Sequence, residues 1–165
     1  MNAAAPLLLT FLLLASCAAA QSAAPGVPTA PTLPPAERYG VQLGGIPPFF
    51  LSAGGYKVLT DLGAGQLEGR ALISTLGIPT FITALGAEAD LLASYPLSVH
   101  WKVYGGVAAA FTSTSVNNAT NYFGLGGLVG VRSGPGLGFF IEAGVGTFFG
   151  GFTGPFGRTG VTYSF

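Results

Sequence analysis

The end of the chain alternates between apolar and polar positions. Val161, Tyr163 and Phe165 occupy every second position, and a glycine, a threonine and a serine lie before and between them. Because successive side chains of a strand point to opposite faces of a sheet, this pattern predicts a strand with one apolar and one polar face.

The same alternation recurs upstream, from about residue 37 onward. Segments of about ten residues alternate with period two and are separated by glycine, proline or polar turns, and no sustained helical spacing interrupts them. One such segment runs irregularly from Leu51 to Leu62, and another runs from Leu97 to Phe111. About eight segments of this kind predict an all-β domain over residues 37–165, folded as an antiparallel up-and-down β-barrel.

The composition indicates what surrounds this barrel. Only 7% of the 165 residues are charged and 50% are hydrophobic, whereas about 25% of the residues of a soluble domain are charged. The surface is therefore predicted to be mostly non-aqueous. After residue 20 no stretch of about 20 apolar residues lacks glycine, proline or charge, so membrane-spanning helices are not predicted there, and a closed sheet is the alternative that pairs its whole backbone.

The charged side chains fall on one face of the predicted strands. That face also carries glycines, whereas the other face is branched and aromatic, which is the reverse of a soluble barrel. The pattern therefore predicts a transmembrane barrel with a polar, glycine-lined lumen and an apolar outer face. The predicted lumen charges are Lys57, Glu68, Arg70, Glu88, Lys102, Arg132, Glu142 and Arg158.

Charges in a narrow lumen have to be paired to offset the cost of desolvation. We therefore expect these eight residues, together with His100, to form an ion-pair network that fills the lumen. A catalytic role for the inward carboxylates is a less favoured alternative, and a conducting pore is not expected, because side chains nearly fill an eight-stranded interior. The six basic and six acidic residues balance, so no basic face points to nucleic acid.

The amino-terminal region predicts export from the cytoplasm. Residues 7–20 form an apolar run that ends in three alanines before Gln21, so residues 1–20 are predicted to be a signal peptide. Residues 21–36 are rich in proline and alanine and are predicted to be a flexible periplasmic segment.

Cys17 leaves an alternative open. The sequence Leu14-Ala15-Ser16-Cys17 resembles the pattern at which bacterial lipoproteins are cleaved and acylated on cysteine. Either the protein is a lipoprotein acylated at Cys17, or this cysteine is lost with the signal peptide.

The connections between the segments predict a topology. If both ends of the barrel are periplasmic, the longest connection, Thr112 to Asn121, lies outside the cell, and short periplasmic turns lie at 61–65, 93–96 and 133–136. The outward aromatic residues then form two girdles. The upper girdle is Phe81, Phe111, Phe123 and Phe149, and the lower is Tyr39, Trp101, Tyr163 and Phe165.

The residues Gly160-Val161-Thr162-Tyr163-Ser164-Phe165, with the alternating segments before them, resemble the small outer-membrane barrels of the OmpA and OmpX type. The resemblance begins at about Tyr39. It implies a bacterial outer-membrane location, contact with outer-membrane lipid, and recognition of Val161, Tyr163 and Phe165 by the barrel-assembly machinery. Members include adhesins, structural anchors and a few enzymes, so the fold alone does not settle the function. The favoured role is non-enzymatic, in envelope structure or surface interaction, with an extracellular partner that the sequence does not name.

His100 raises the alternative of an enzyme that modifies outer-membrane lipid. Small barrels that deacylate lipid place a histidine and a serine two residues apart, and the segment His100-Trp101-Lys102 lacks that serine. We therefore expect no catalytic residue, and a hydrogen-bonding role for His100 inside the lumen. One histidine and one cysteine do not build a conventional metal site, so no metal or other cofactor is expected.

Overall fold

The computed structural model describes residues 38–46, 50–78, 81–114, 120–149 and 153–165. The predicted signal peptide, the Pro/Ala-rich segment and Cys17 lie outside these residues. The described residues form eight strands: β1 (Tyr39–Ile46), β2 (Phe50–Leu62), β3 (Gly65–Ile78), β4 (Phe81–Pro96), β5 (Trp101–Thr114), β6 (Thr120–Ser133), β7 (Gly136–Phe148) and β8 (Thr153–Ser164).

The strands pair in chain order, each antiparallel to the next, and β8 pairs with β1 to close a barrel. The predicted all-β fold with about eight strands is confirmed. Within the described ranges, no helix has the length and hydropathy that crossing a membrane requires.

The register of the pairing sets the tilt of the strands. A row of directly paired residues leads from Val41 around the barrel to Thr153. Thr153 lies six residues before Thr159, which pairs with Gly45. After one circuit of the barrel the row is therefore displaced by ten residues along the direction of β1 from its starting point at Val41. This stagger corresponds to a tilt of roughly 40° and to a narrow interior.

One end of the barrel, which we call the turn end, holds the start of β1 and three short turns. Residues 63–64 join β2 to β3, and residues 134–135 join β6 to β7, at the places where short turns are predicted. Gly63 and Gly136 adopt φ angles of +67° and +74°, which only glycine takes without strain. The opposite end, where β1 ends, is the loop end.

The third turn does not lie where the sequence predicts it. β4 continues to Pro96, and residues 97–100 form the turn, because the backbone N–H groups of Leu97 and Ser98 both donate to the Trp101 carbonyl, at 2.8 and 3.2 Å. The apparent alternation from Leu97 to Trp101 therefore belongs to a turn. His100 is exposed there, and its predicted place in the lumen is wrong.

The predicted long connection between β5 and β6 is also shorter than expected. Thr112 pairs with Tyr122, and Thr114 pairs with Thr120. Backbone pairing thus extends both strands into the polar segment, and five residues, 115–119, separate them.

The outer face of the barrel is apolar. Large side chains such as Ile73 and Leu137 are 68% and 77% exposed. Aromatic rings collect at both ends, as predicted. Ring centroids lie 6.0 Å apart for Phe123 and Phe149 at the loop end, and at the turn end 6.3 Å apart for Tyr39 and Phe165 and 5.2 Å apart for Trp101 and Phe139. The predicted upper-girdle side chain of Phe81 lies outside what the structure describes.

The inner face holds charges, glycines and a few large apolar groups. Leu92, Leu128 and Phe140 are fully buried, so the lumen contains more apolar volume than the sequence pattern predicts. The glycines leave room for rings. A Cβ at Gly130, for example, would lie 2.7 Å from the Tyr104 ring.

Exchanging glycine for alanine should therefore be costly on the inner face and mild on the outer face of β6. In the Gly130→Ala variant the new methyl group would overlap Tyr104 and the Glu142 Cβ, 2.8 Å away, so we expect a loss of about 1–3 kcal/mol in the free energy of unfolding. The matched control is Gly127→Ala, where the nearest atom lies 3.7 Å away. Urea unfolding of the refolded barrels, followed by circular dichroism, measures both, and equal stability of the two variants would contradict this packing.

Candidate functional site: the charge cluster of the lumen

Five charged residues of β3, β4, β7 and β8 meet in the lumen, and we call them the lumen cluster. They are Arg70, Glu88, Asp90, Glu142 and Arg158. The backbone register brings them together, because Arg70 pairs with Asp90 on neighbouring strands and Glu142 pairs with Arg158. Each lies on the inner face of its strand.

Arg70 is fully buried and contacts three carboxylates. Its Nε lies 2.5 Å from Asp90 Oδ2, and its Nη1 lies 2.7 Å from Glu142 Oε2. Its Nη2 lies 3.8 Å from Glu88 Oε1. One guanidinium therefore connects carboxylates of β4 and β7, two strands that are not neighbours in the sheet.

Arg158 approaches the same carboxylates from β8. Its Nη2 lies 2.5 Å from Glu88 Oε1, its Nη1 lies 3.1 Å from Glu88 Oε2, and its Nε forms an ion pair with Glu142. The contact with Glu88 is bidentate, the strong geometry for a guanidinium and a carboxylate. The two arginines thus share Glu88 and Glu142 between them.

A second ion pair lies closer to the turn end. Arg132 Nη2 lies 2.8 and 2.9 Å from the two oxygens of Glu68, which also accepts a hydrogen bond of 2.6 Å from Ser94 Oγ. The Arg132 guanidinium stacks over the Tyr56 ring, 3.8 Å from its centroid. A buried cation is stabilised by both contacts.

Two tyrosines that the sequence pattern does not single out complete the network. Tyr104 donates its hydroxyl to Glu142 Oε2 at 2.8 Å, and the hydroxyls of Tyr56 and Ser164 lie 2.6 Å apart. Tyr104 shares the parity of Lys102 on β5, so the alternation was the signal that could have found it, whereas at Tyr56 the alternation points to Lys57 instead.

The inner face is balanced in formal charge. Arg70, Lys102, Arg132 and Arg158 face Glu68, Glu88, Asp90 and Glu142, four cations against four anions. Each of the four carboxylates contacts an arginine, and among the described residues no group of three His, Cys, Asp or Glu is arranged to hold a metal ion. These ion pairs connect strands across the lumen and occupy its interior.

Six of the nine predicted lumen residues join these ion pairs: Glu68, Arg70, Glu88, Arg132, Glu142 and Arg158. Lys102 is buried on the inner face, where its Nζ lies 3.5 Å from Gln66 Oε1. Asp90 was missed, although it shares the parity of Glu88.

Lys57 does not face the lumen, and its predicted place there is wrong. Tyr56 and Val58 turn inward on β2, so Lys57 faces outward and is exposed. The physical reason is the Tyr56 ring, which fills the space beside Gly40 and stacks against Arg132. The ring thus occupies the lumen at a place where an alternation of apolar and charged residues predicts the lysine.

The residues predicted as an assembly signal lie on the outer face of the barrel. Val161, Tyr163 and Phe165 are about half exposed, at 50%, 50% and 58%. Their recognition by an assembly machinery stays a prediction.

The fold and the site together define a closed, eight-stranded antiparallel barrel with a charge-balanced interior and an apolar exterior. Compared with known proteins, the chain matches no protein-family model, no curated protein and no solved structure.

Removing one arginine of the lumen cluster should destabilise the barrel strongly. In Arg70→Met the buried Asp90 carboxylate loses its hydrogen-bonded arginine and Glu142 loses one of its two arginines, and we expect the free energy of unfolding to fall by about 3–5 kcal/mol. The control is Arg38→Met, which breaks the exposed pair with Asp61, both side chains being 56% exposed, and should cost at most about 1 kcal/mol. Urea unfolding of the refolded barrels measures both values. A similar, small loss in both variants would contradict a bracing role.

Proposed function

We propose that the protein is an integral β-barrel of a bacterial outer membrane that acts without catalysis, in envelope structure or in contacts at the cell surface. The proposal rests on the distribution of side chains between the two faces of the barrel, which is the reverse of that in a soluble barrel. Charged side chains are buried inside, whereas large apolar side chains such as Ile73 and Leu125, 68% and 51% exposed, cover the outside. In water such a continuous apolar surface is unfavourable, and in a bilayer it is the stable arrangement.

The dimensions of the barrel support the same proposal. β2 and β7 contain 13 residues each, and at about 3.3 Å per residue and a tilt of roughly 40° they rise about 30 Å. This height equals the thickness of the hydrocarbon core of a bilayer, about 30 Å. The aromatic groups at the two ends of the barrel then lie at the levels of the lipid headgroups, which aromatic side chains favour.

The filled lumen favours a structural or surface role over a pore. The lumen cluster occupies the middle of the barrel, and Leu92, Leu128 and Phe140 have no exposed surface. An ion path would have to pass between arginines and carboxylates that are already paired. His100 is exposed in a turn, which gives no support to a lipid-modifying enzyme.

In the proposed topology the turn end faces the periplasm and the loop end faces outward. The connections of the loop end are then the contact surface for any extracellular partner. The outward side chains of Val161, Tyr163 and Phe165 are the proposed contact for the barrel-assembly machinery.

The direct test is the electrophoretic mobility of the protein from the outer-membrane fraction, with and without boiling. Closed barrels often stay folded in detergent until heated, so we expect the unboiled sample to migrate differently from the boiled one. Arg70→Met, which lacks one of the ion pairs across the lumen, should lose the folded band at a lower temperature than the wild type does. A soluble protein without a heat-dependent shift would overturn the proposal.

A second test places an arginine at two heights of the outer face. Val129 is an outward residue of β6 between the aromatic groups of the two ends, and Leu137 is the second residue of β7, at the turn end. In a bilayer, Val129→Arg should cost about 2–4 kcal/mol and Leu137→Arg about 0–1 kcal/mol. Urea unfolding in lipid vesicles gives both numbers. Equal costs at the two heights would show that the outer face does not sit in a bilayer as proposed.

A further inference from the structure

A groove of about 440 Å³ opens on the outer face near the turn end. Its floor contains the small residues Gly55, Gly69 and Ala71, and the rings of Tyr39 and Phe165 stand beside it. The groove is shallow and open along most of its surface.

Strand pairing explains why the outer face of the barrel is recessed at this place. Gly55 pairs with Ala71, which pairs with Ala89, which pairs in turn with Ala109. A row of small outward side chains therefore crosses four strands. Strand pairing also places the two rings beside the groove, because Tyr39 and Phe165 exchange backbone hydrogen bonds of 3.3 and 3.0 Å where β8 pairs with β1.

Lys57 lines the same groove and gives it a charge. Away from the turns it is the one charged side chain on the outer face of the described strands, and no carboxylate of the described residues forms an ion pair with it. Its Nζ lies over the Tyr39 ring, 5.4 Å from the centroid. An ammonium near the end of an apolar face attracts an anionic group.

We propose that this groove binds one glycerophospholipid. An acyl chain lies on the floor of Gly55, Gly69 and Ala71, and the lipid phosphate accepts hydrogen bonds from Lys57. The proposal rests on the proposed function, since it requires a bilayer around the barrel. The groove lies at the turn end, so the lipid belongs to the periplasmic leaflet in the proposed topology.

Two alternatives fit the charge less well. A second copy of the chain docked on the same patch about a two-fold axis would bring its own Lys57 toward this one, and like charges repel. An apolar peptide segment would cover the floor but leave the ammonium unpaired. A lipid supplies both an apolar chain and an anion.

Native mass spectrometry of the full chain, released from detergent after incubation with phosphatidylglycerol, tests the proposal. We expect one bound lipid on the wild type. Lys57→Gln should lower the occupancy about fivefold, the effect of one basic side chain on an anionic lipid. Ala71→Leu should also lower it, because the larger side chain fills the floor. The control is Ala87→Leu, an exposed alanine of β4 outside the groove, which should bind as the wild type does.

Equal occupancy in all four proteins would overturn the proposal, and so would dimers in place of lipid-bound monomers. A parallel gel of each sample with and without boiling distinguishes a failure of the lipid-groove proposal from a failure of the membrane-barrel proposal. A barrel that shows the heat-dependent shift but binds no lipid refutes only the groove. A wild-type chain that shows no shift refutes the membrane barrel itself, and the groove with it.

Discussion

The pairing of β8 with β1 is the constraint on which the rest of the structure depends. It removes the last free edge of the sheet, so every strand has two neighbours. It also fixes the stagger and with it the width of the interior. Contacts across this seam include the hydrogen bond from Thr162 Oγ1 to the Val41 carbonyl, at 3.1 Å, and the stacked rings of Tyr39 and Phe165.

Because the interior is narrow, a side chain can reach across it. Arg70 of β3 binds Glu142 of β7, Arg158 of β8 binds Glu88 of β4, and Arg132 of β6 binds Glu68 of β3. None of these strand pairs are neighbours in the sheet. The ion pairs therefore act as cross-braces, in the place that a hydrophobic core takes in a soluble barrel, and Leu92, Leu128 and Phe140 fill the space that remains.

Most of the fold could be predicted from the sequence, because a period of two fixes both the strand and the face of each side chain. The failures have local causes. Near Lys57, the pattern could not tell that a tyrosine ring would take the lumen position. At Leu97, alternation continued by chance through a turn that a backbone hydrogen bond to Trp101 closes. The alternation also could not predict which charged residues form ion pairs with one another, because the pairing depends on the stagger of the closed barrel, and no single strand encodes that stagger.

The distribution of the inner charges along the chain has a consequence for assembly. The first four strands contribute three carboxylates and one guanidinium, from Glu68, Glu88, Asp90 and Arg70, whereas the last four contribute three cations and one carboxylate, from Lys102, Arg132, Arg158 and Glu142. The two halves of the sheet thus carry formal charges of opposite sign and equal size. Each half carries a net charge by itself and attracts the other half. An assembly intermediate that contains only one half is therefore unfavourable, and closure of the barrel neutralises both halves together.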